Sequence, residues 1–212
     1  METSLKVANP WAGSPVFVRE RTGSTMDDAR RLALAGCSEG TVVLAGFQSK
    51  GKGRAPGRSW HSKPWECLMA TVVLDKGSFR FPLGELSMRV AVAACLAVED
   101  VGVKASIKPP NDLVVNGRKI AGVLCETFNQ AALVGIGVNC LQTTFGGDLL
   151  DIACSILQVT GHEVNPIVLL PRILNHLKET LADEQWEEKL RVRLIRKESG
   201  PASSSAGQPC EA

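Results

Sequence analysis

The chain has 212 residues and a hydrophobic share of 44%, which is ordinary for a globular protein and suits one main domain. The formal net charge of +2 gives no overall argument for a nucleic-acid binder, because the positive charge is local. Seven cysteines without a Cys-x-x-Cys pair, together with the lack of a secretory signal, lead us to expect a reduced, cytoplasmic protein. No stretch approaches the roughly 20 apolar residues of a membrane span, and three scattered histidines give no zinc site.

The first predicted elements are a β-strand over residues 15–19 and a helix that ends at Gly36. Ser24 or Thr25 is in position to cap this helix, and acidic residues follow in its first turn. Capping alone explains this pattern. The alternative is ligand binding, because hydroxyls and free amides at a helix N-terminus also suit the polar end of a ligand.

A loop over residues 46–60 joins a predicted strand at residues 42–45 to another at residues 68–74. Its glycines let the backbone approach a ligand closely, and its Lys and Arg side chains supply positive charge. The glycine spacing fits neither the dinucleotide fingerprint nor the P-loop, and a loop between two strands does not open a helix. We therefore expect either an anion-binding loop or a solvated basic surface loop. The glycines and cations are Gly46, Gly51, Gly53, Gly57, Lys50, Lys52, Arg54 and Arg58.

A buried helix is predicted over residues 86–101, because this segment is rich in Ala and Val and carries little charge. The strand that follows must break at Pro109-Pro110, since proline removes an amide donor and restricts φ. Asn111 and Asp112 then present short polar side chains from this rigid corner. A tight turn alone also accounts for these four residues.

The dipeptide Asn-Gly at 116–117 predicts a hairpin turn, and residues 118–126 form the return strand. On that strand Lys119 is expected to share one face with Ala121 and Val123. An unpaired buried ammonium is unfavourable. Lys119 therefore either lies in water at the start of the strand or meets an anion.

The rest of the chain predicts one more strand and three helical segments. The strand covers residues 132–138 and contains Gly-x-Gly-x-Asn (135–139), which allows close backbone approach. The helical segments cover residues 148–160, 165–181 with a kink at Pro171, and 185–193. Residues 196–212 contain few hydrophobic side chains and are expected to form a disordered tail.

Four of these features occur in the order that is typical of the biotin–protein ligases, and the chain resembles that family over residues 15–192. The family pattern is roughly G-R-G-R-x-G-R-x-W, then K-W-P-N-D, then K-x-A-G. This chain has a Gly- and Arg-rich loop that ends at Trp60, Lys-Pro-Pro-Asn-Asp (108–112), Gly-Arg-Lys-Ile-Ala-Gly (117–122) and Gly-Ile-Gly-Val-Asn (135–139).

The resemblance implies an α/β fold, a mixed sheet flanked by helices, like the catalytic core of class II aminoacyl-tRNA synthetases. It implies an N-terminal extension at residues 1–14, a catalytic domain at 15–195 and the tail at 196–212. Neither the helix-turn-helix domain nor the C-terminal β-barrel domain of other family members is expected, so no DNA binding is expected either.

The implied activity is that of an enzyme with two steps. Biotin's carboxylate attacks the α-phosphate of ATP, with Mg²⁺, and gives biotinyl-5′-AMP. A lysine of a biotin carboxyl carrier domain then attacks the acyl carbon. Such chemistry needs no protein nucleophile, which agrees with the lack of an evident Ser/His/Asp array. Neither the acceptor protein nor the oligomeric state follows from the sequence.

The resemblance also assigns site residues, and it singles out none of them as a metal ligand, although the nucleotide group would also serve the metal side. The catalytic pair is Lys119 and Arg54. The residues implied for biotin are Ser24, Thr25, Met26, Gln48, Lys52, Gly53, Arg54 and Lys119. Those implied for the nucleotide are Arg58, Trp60, Asn111, Asp112 and Asn139.

The chain departs from the family pattern at four positions. Met26 stands where asparagine is usual, Lys52 replaces an arginine, Pro56 is an extra residue, and Pro109 replaces a tryptophan. We therefore expect a raised requirement for biotin or ATP, and exchanging Met26 for Asn together with Lys52 for Arg should lower the biotin requirement.

Three other functions remain open. One is a lipoate- or octanoyl-transferring enzyme of the same fold, although the Arg-rich loop and the Lys-Pro-Pro-Asn-Asp corner match the biotin branch better. The second is a non-catalytic biotin- or nucleotide-binding module. The third is a nucleic-acid binder that uses residues 50–58 and Trp60.

Overall fold

The computed structural model describes residues 7–54, 57, 59–60 and 62–195. This part of the chain contains one mixed sheet of seven strands, in the order β1-β2-β3-β7-β6-β5-β4. β1 and β2 are parallel, whereas every other neighbouring pair is antiparallel. The strands are β1 (Val16–Thr22), β2 (Val42–Gln48), β3 (Cys67–Asp75), β4 (Ser106–Lys108), β5 (Asp112–Val115), β6 (Arg118–Phe128) and β7 (Ala131–Asn139).

Helices cover the two faces of the sheet unequally, and the predicted α/β class with a mixed sheet is confirmed. The long helices α2 and α4 pack on one face and form the main core with the sheet. The ten-residue α1 packs on the other face, over β2, β3 and β7. Because α1 is short, the part of that face formed by β6 and the end of β7 is left for other groups. The helices are α1 (Thr25–Leu34), α2 (Leu83–Glu99), α3 (Ile156–Thr160), α4 (Pro166–Ala182) and α5 (Trp186–Arg191).

The predicted hairpin between β5 and β6 is confirmed, since its two turn residues have φ of 49° and 78°, as a type I′ turn requires. The predicted face of Lys119 is wrong. A β-bulge pairs Leu113 with Ala121 but Val114 with Lys119, and leaves Ile120 without a partner on β5. Such a bulge interrupts the alternation of side chains. Lys119 therefore lies beside Gly122, while Ala121 and Val123 belong to the main core.

The predicted helical segment over residues 148–160 is confirmed at its two ends and wrong in its middle. A 3₁₀ turn (Gly147–Leu149) and the short α3 flank a stretch that runs beside the start of β6. There the amide of Lys119 donates to the carbonyl of Ile152 at 2.7 Å, and the amide of Cys154 donates to the carbonyl of Lys119 at 2.9 Å. β7 ends before it reaches this part of β6, so residues 152–154 satisfy backbone groups that would otherwise lack partners.

The chain ends that flank the sheet are only partly described. Asn9 Nδ2 donates to the carbonyl of Gly40 at 2.8 Å, and Trp11 packs against the same glycine. α4 continues through Pro171 as one helix.

The predicted tail at residues 196–212 lies outside the described residues. Within the described part of the chain, no helix combines the length and the apolar character needed to cross a membrane.

Candidate active site

Glycines on neighbouring strands form the floor of a cavity on the face that α1 leaves open. Gly122 of β6 pairs directly with Gly137 of β7, and Gly135 lies two residues earlier. A Cβ atom on Gly137 would lie 2.9 Å from the Trp60 ring, and one on Gly122 would lie 3.0 Å from Lys119 Nζ. Only glycine therefore leaves room for these two side chains above the sheet.

Two adjoining cavities lie above this floor. The smaller encloses about 60 Å³ next to the N-terminus of α1, and the larger encloses about 720 Å³ beside β5 and residues 149–153. The residues that line both are Gly53, Arg54, Trp60, Asn111 and Lys119. The two predicted catalytic cations, Lys119 and Arg54, therefore lie at the junction of the cavities.

The structure brings together the predicted site residues that it describes. The smaller cavity is lined by all of those implied for biotin: Ser24, Thr25, Met26, Gln48, Lys52, Gly53, Arg54 and Lys119. The larger is lined by four of those implied for the nucleotide: Trp60, Asn111, Asp112 and Asn139. Arg58 lies outside the described residues, as does Pro56.

The far end of the smaller cavity is formed where β2 meets the start of α1. Ser24 occupies the N-cap position, but its side chain makes no capping hydrogen bond. The side chain of Gln48 takes that role, because its Oε1 accepts from the amide of Thr25 at 2.7 Å. Ser24 Oγ is thus buried and without a partner among the described residues, which leaves it available to a ligand.

Met26 contributes an apolar wall to the same cavity. Its side chain is 4% exposed and packs with Val43, Val73 and Leu133 between α1 and the sheet. A Cβ on Gly135 would lie 2.9 Å from Met26 Sδ. Met26, one of the four departures from the family pattern, is therefore part of a small apolar core.

Electrostatic interactions at the junction centre on Lys119. Its Nζ lies 2.6 Å from Asp112 Oδ1 and 5.7 Å from the centre of the Trp60 ring. The side chain is 36% exposed, so the ammonium remains open to a ligand from both cavities. This arrangement can hold an anion in place of, or together with, the carboxylate of Asp112.

The described part of the Gly-rich loop lies over the smaller cavity. Lys52 Nζ pairs with Asp27 Oδ1 in the first turn of α1, and Lys52 also forms a β-bridge with Ser59. The amide of Trp60 donates to the carbonyl of Gly51 at 3.2 Å. The loop is thus folded back on itself and tied to α1 by an ion pair.

Asn139 contributes to the larger cavity from a buried position. Its Nδ2 donates to the carbonyl of Cys154 at 2.9 Å, and its Oδ1 accepts from Gln142 Nε2 at 3.0 Å. Because these bonds already use both ends of the carboxamide, Asn139 holds residues 152–154 against the strand that carries Lys119. Its contact with a nucleotide stays a prediction.

The chemistry of the site depends on charge and position. Burial raises the pKa of the Cys67 thiol, below Trp60, to about 11, so it is protonated at neutral pH and a poor nucleophile. The described residues contain no cluster of three or more His, Cys, Asp or Glu that could hold a metal ion. Among the described residues that line the larger cavity, Asp112 supplies the one carboxylate.

Sequence reasoning missed three groups of residues. Lys119 lies over Gly122 only because of the bulge, which the motif at residues 117–122 does not reveal. Thr71 lies inside an apolar strand, and its hydroxyl was the one available signal of a polar role. The larger cavity has an apolar wall formed by Phe145 and by three residues of the segment predicted to be helical, Leu149, Ile152 and Ala153.

Comparisons with known proteins agree with this geometry. Residues 18–142 match the model of the family described as "Biotin/lipoate A/B protein ligase family". The "Bifunctional ligase/repressor BirA" of Bacillus subtilis (strain 168) is 31% identical over 170 residues, which are 76% of this chain and 52% of that protein. The "Biotin--[acetyl-CoA-carboxylase] ligase" of Paracoccus denitrificans is 36% identical over 160 residues, 69% of this chain and 64% of that protein. The chain thus spans about half to two thirds of the length of these relatives.

A solved structure shares the fold. The biotin protein ligase from Aquifex aeolicus, in complex with biotin and ATP, superposes with a TM-score of 0.77 at 26% identity, and covers 85% of this chain and 78% of that one. The family match includes more than half of the chain and most of the residues that line the two cavities. The chain belongs to the biotin/lipoate A/B protein ligase family.

Proposed function

We propose that this chain is an ATP-dependent ligase that activates biotin as biotinyl-5′-AMP and transfers the biotinyl group to a lysine of a biotin carboxyl carrier domain. The observation that carries the proposal is the position of Lys119 and Arg54 in the wall shared by the two cavities. An acyl group in the smaller cavity and a nucleotide in the larger one would meet at these two cations.

In the first step the carboxylate of biotin attacks the α-phosphorus of ATP, the bond to the β-phosphate oxygen breaks, and pyrophosphate leaves. The cations of Lys119 and Arg54 balance the negative charge of both reactants and of the transition state. The shared wall also holds the two reacting atoms close together, which lowers the entropic part of the barrier. No protein nucleophile is required, in keeping with the neutral thiol of Cys67.

Mg²⁺, when bound, would neutralise phosphate charge, and Asp112 is the residue that would hold it. In the second step the neutral amine of the carrier lysine attacks the acyl carbon. The carbon–oxygen bond to AMP breaks, AMP leaves as the anion, and the amine loses a proton to solvent. Lys119 is positioned to stabilise the leaving phosphate by the same charge interaction.

The chemistry at the far end of the smaller cavity supports biotin over a saturated acyl chain. Ser24 Oγ and Gln48 Nε2 provide hydrogen-bond donors there, whereas an octanoyl chain has no acceptor at its far end. A buried donor without an acceptor is unfavourable, and a bound hydrocarbon chain would leave both of these donors without an acceptor.

The test is pyrophosphate release with ATP and one acid at a time: biotin, lipoate or octanoate. Biotin is expected to support release and to yield biotinyl-5′-AMP by mass spectrometry, followed by mass gain of an isolated carrier domain. Activity with lipoate or octanoate and none with biotin would move the chain to the other branch of the family. Binding of biotin without pyrophosphate release would support a non-catalytic module.

A further inference from the structure

A chain of hydrogen bonds leads from the buried strand β3 to the far end of the smaller cavity. Thr71 Oγ1 lies 2.8 Å from Thr25 Oγ1, and Thr25 Oγ1 lies 3.1 Å from Gln48 Oε1. The same Oε1 accepts from the amide of Thr25 at 2.7 Å. Thr71 is fully buried and lies behind the cavity, outside its lining.

The direction of every bond in this chain follows from the chemistry of the groups. A backbone amide only donates, so the atom of Gln48 that faces Thr25 must be its oxygen. A carboxamide oxygen only accepts, so the single hydroxyl proton of Thr25 is directed to Gln48. The proton between the two threonines must then come from Thr71.

The consequence is that Gln48 turns its NH₂ group away from Thr25 and toward the cavity. A Cβ on Gly51 would lie 3.3 Å from Gln48 Nε2, which places this nitrogen beneath the Gly-rich loop. In the described part of the chain Nε2 has no hydrogen-bond acceptor. The buried hydroxyl of Ser24 and the positive N-terminus of α1 lie at the same end.

We propose that Thr71 is a positioning residue that determines which acyl substrates bind, by holding Gln48 as a hydrogen-bond donor. The far end of the cavity then selects a substrate whose distal group carries a carbonyl oxygen, such as a cyclic urea. The inference rests on the proposed function and extends it to substrate selection. Without the Thr71 hydroxyl, Thr25 can turn its proton elsewhere, and only the amide of Thr25 still orients the carboxamide.

The test compares Thr71→Val, which keeps the shape of the side chain, with Thr71→Ser, which keeps the hydroxyl. Calorimetry with biotin should show about five- to tenfold weaker binding for Thr71→Val, as for the loss of one hydrogen bond, and less than about twofold for Thr71→Ser. Octanoate binding and the KM for ATP should not change in either variant. Thr180→Val is the matched control, because Thr180 is buried in α4 away from both cavities.

Equal biotin affinity of wild type and Thr71→Val would overturn the proposal. So would a loss in Thr71→Ser as large as in Thr71→Val, because the effect would then come from packing. If Thr71→Val does not fold, Thr71→Ala replaces it in the same comparison, with urea unfolding as the measure of stability.

A second measurement needs no biotin. The side-chain NH₂ of Gln48, identified in a ¹⁵N spectrum by its disappearance in Gln48→Glu, should give one pair of signals in wild type and Thr71→Ser. In Thr71→Val this pair should shift or double. Unchanged signals would overturn the role of Thr71 even where biotin binds, whereas a wild type that fails to bind biotin overturns the proposed function alone.

Discussion

Lys119 Nζ lies 2.6 Å from Asp112 Oδ1, across the hairpin that β5 and β6 form. The pair has side-chain exposures of 36% and 29%, so it is open to ligands. The carboxylate or phosphate of a ligand can therefore replace Asp112 as the partner of Lys119, and a bound cation can replace Lys119 as the partner of Asp112. This ion pair connects the two cavities, and it motivates the first two predictions.

Lys119→Ala is expected to lower adenylate formation by about 100-fold or more, which is the usual effect of removing one preorganised charge donor at a reacting centre. The fold should persist, because the ammonium is partly exposed. Pyrophosphate release and the circular dichroism spectrum measure the two effects. Lys189→Ala, which removes a surface pair with Asp183, is the control. Release within a few-fold of wild type would contradict the role of Lys119.

Asp112→Asn is expected to raise the KM for Mg²⁺–ATP about tenfold while biotin binds as well as before or more tightly. The substitution removes the proposed Mg²⁺ ligand, yet it also frees Lys119 from its carboxylate partner. ATP titration by pyrophosphate release and calorimetry with biotin separate the two effects. A parallel loss of biotin and ATP affinity would show that Asp112 has a general structural role instead.

Biotin together with ATP is expected to protect the Gly-rich loop from trypsin at Lys50, Lys52, Arg54 and Arg58. Anionic ligands neutralise the repulsion among these cations, and the ion pair of Lys52 with Asp27 holds the loop near α1. Asp27→Asn should speed cleavage in the free protein. The control is Asp100→Asn, which removes a surface contact with His176 on α4. Equal cleavage with and without ligands would show that the loop does not close over them.

Met26→Asn is expected to lower the free energy of unfolding by about 1–3 kcal/mol, because it buries an amide among apolar side chains. Met26→Leu should change it by less than about 1.5 kcal/mol. Urea denaturation measures both variants. The expectation that Asn at this position improves biotin binding stays a separate prediction, because a loss of stability does not decide the affinity of the folded protein. A Met26→Asn variant as stable as wild type would contradict the role of Met26 in the apolar cluster.

Stability is expected to fall as the pH rises above about 9. Burial raises the pKa of Cys67 to about 11 and the pKa of Cys140 to about 12, from the ordinary value of 9.0. The unfolded chain therefore loses these protons first, and each thiol's contribution, complete below pH 9.0, is lost as the pH rises through its folded-state pKa. Urea unfolding from pH 7 to 10 measures the slope, which Cys140→Ala should reduce. An unchanged slope in that variant would show that its thiol is not the cause.

The sequence by itself determined the order of most strands and helices and the composition of the site. Glycine and proline restrict the backbone locally, so the Asn116-Gly117 turn, the corner at Pro109-Pro110 and the break after β2 follow from neighbouring residues. The site residues could be assigned because their motifs occur in the order typical of a family.

Only the tertiary structure decided which side chains meet. The bulge that moves Lys119 next to Gly122, the pairing of residues 152–154 with β6, and the link from Thr71 to Gln48 all depend on contacts between segments distant in the chain. Local propensity does not encode such contacts, because they form where backbone and side-chain groups lack nearer partners. The amide of Thr25 at the start of α1 likewise lacks a nearer acceptor. It is therefore capped by Gln48, 23 residues away in the chain, and this leaves the hydroxyl of Ser24 free for a ligand.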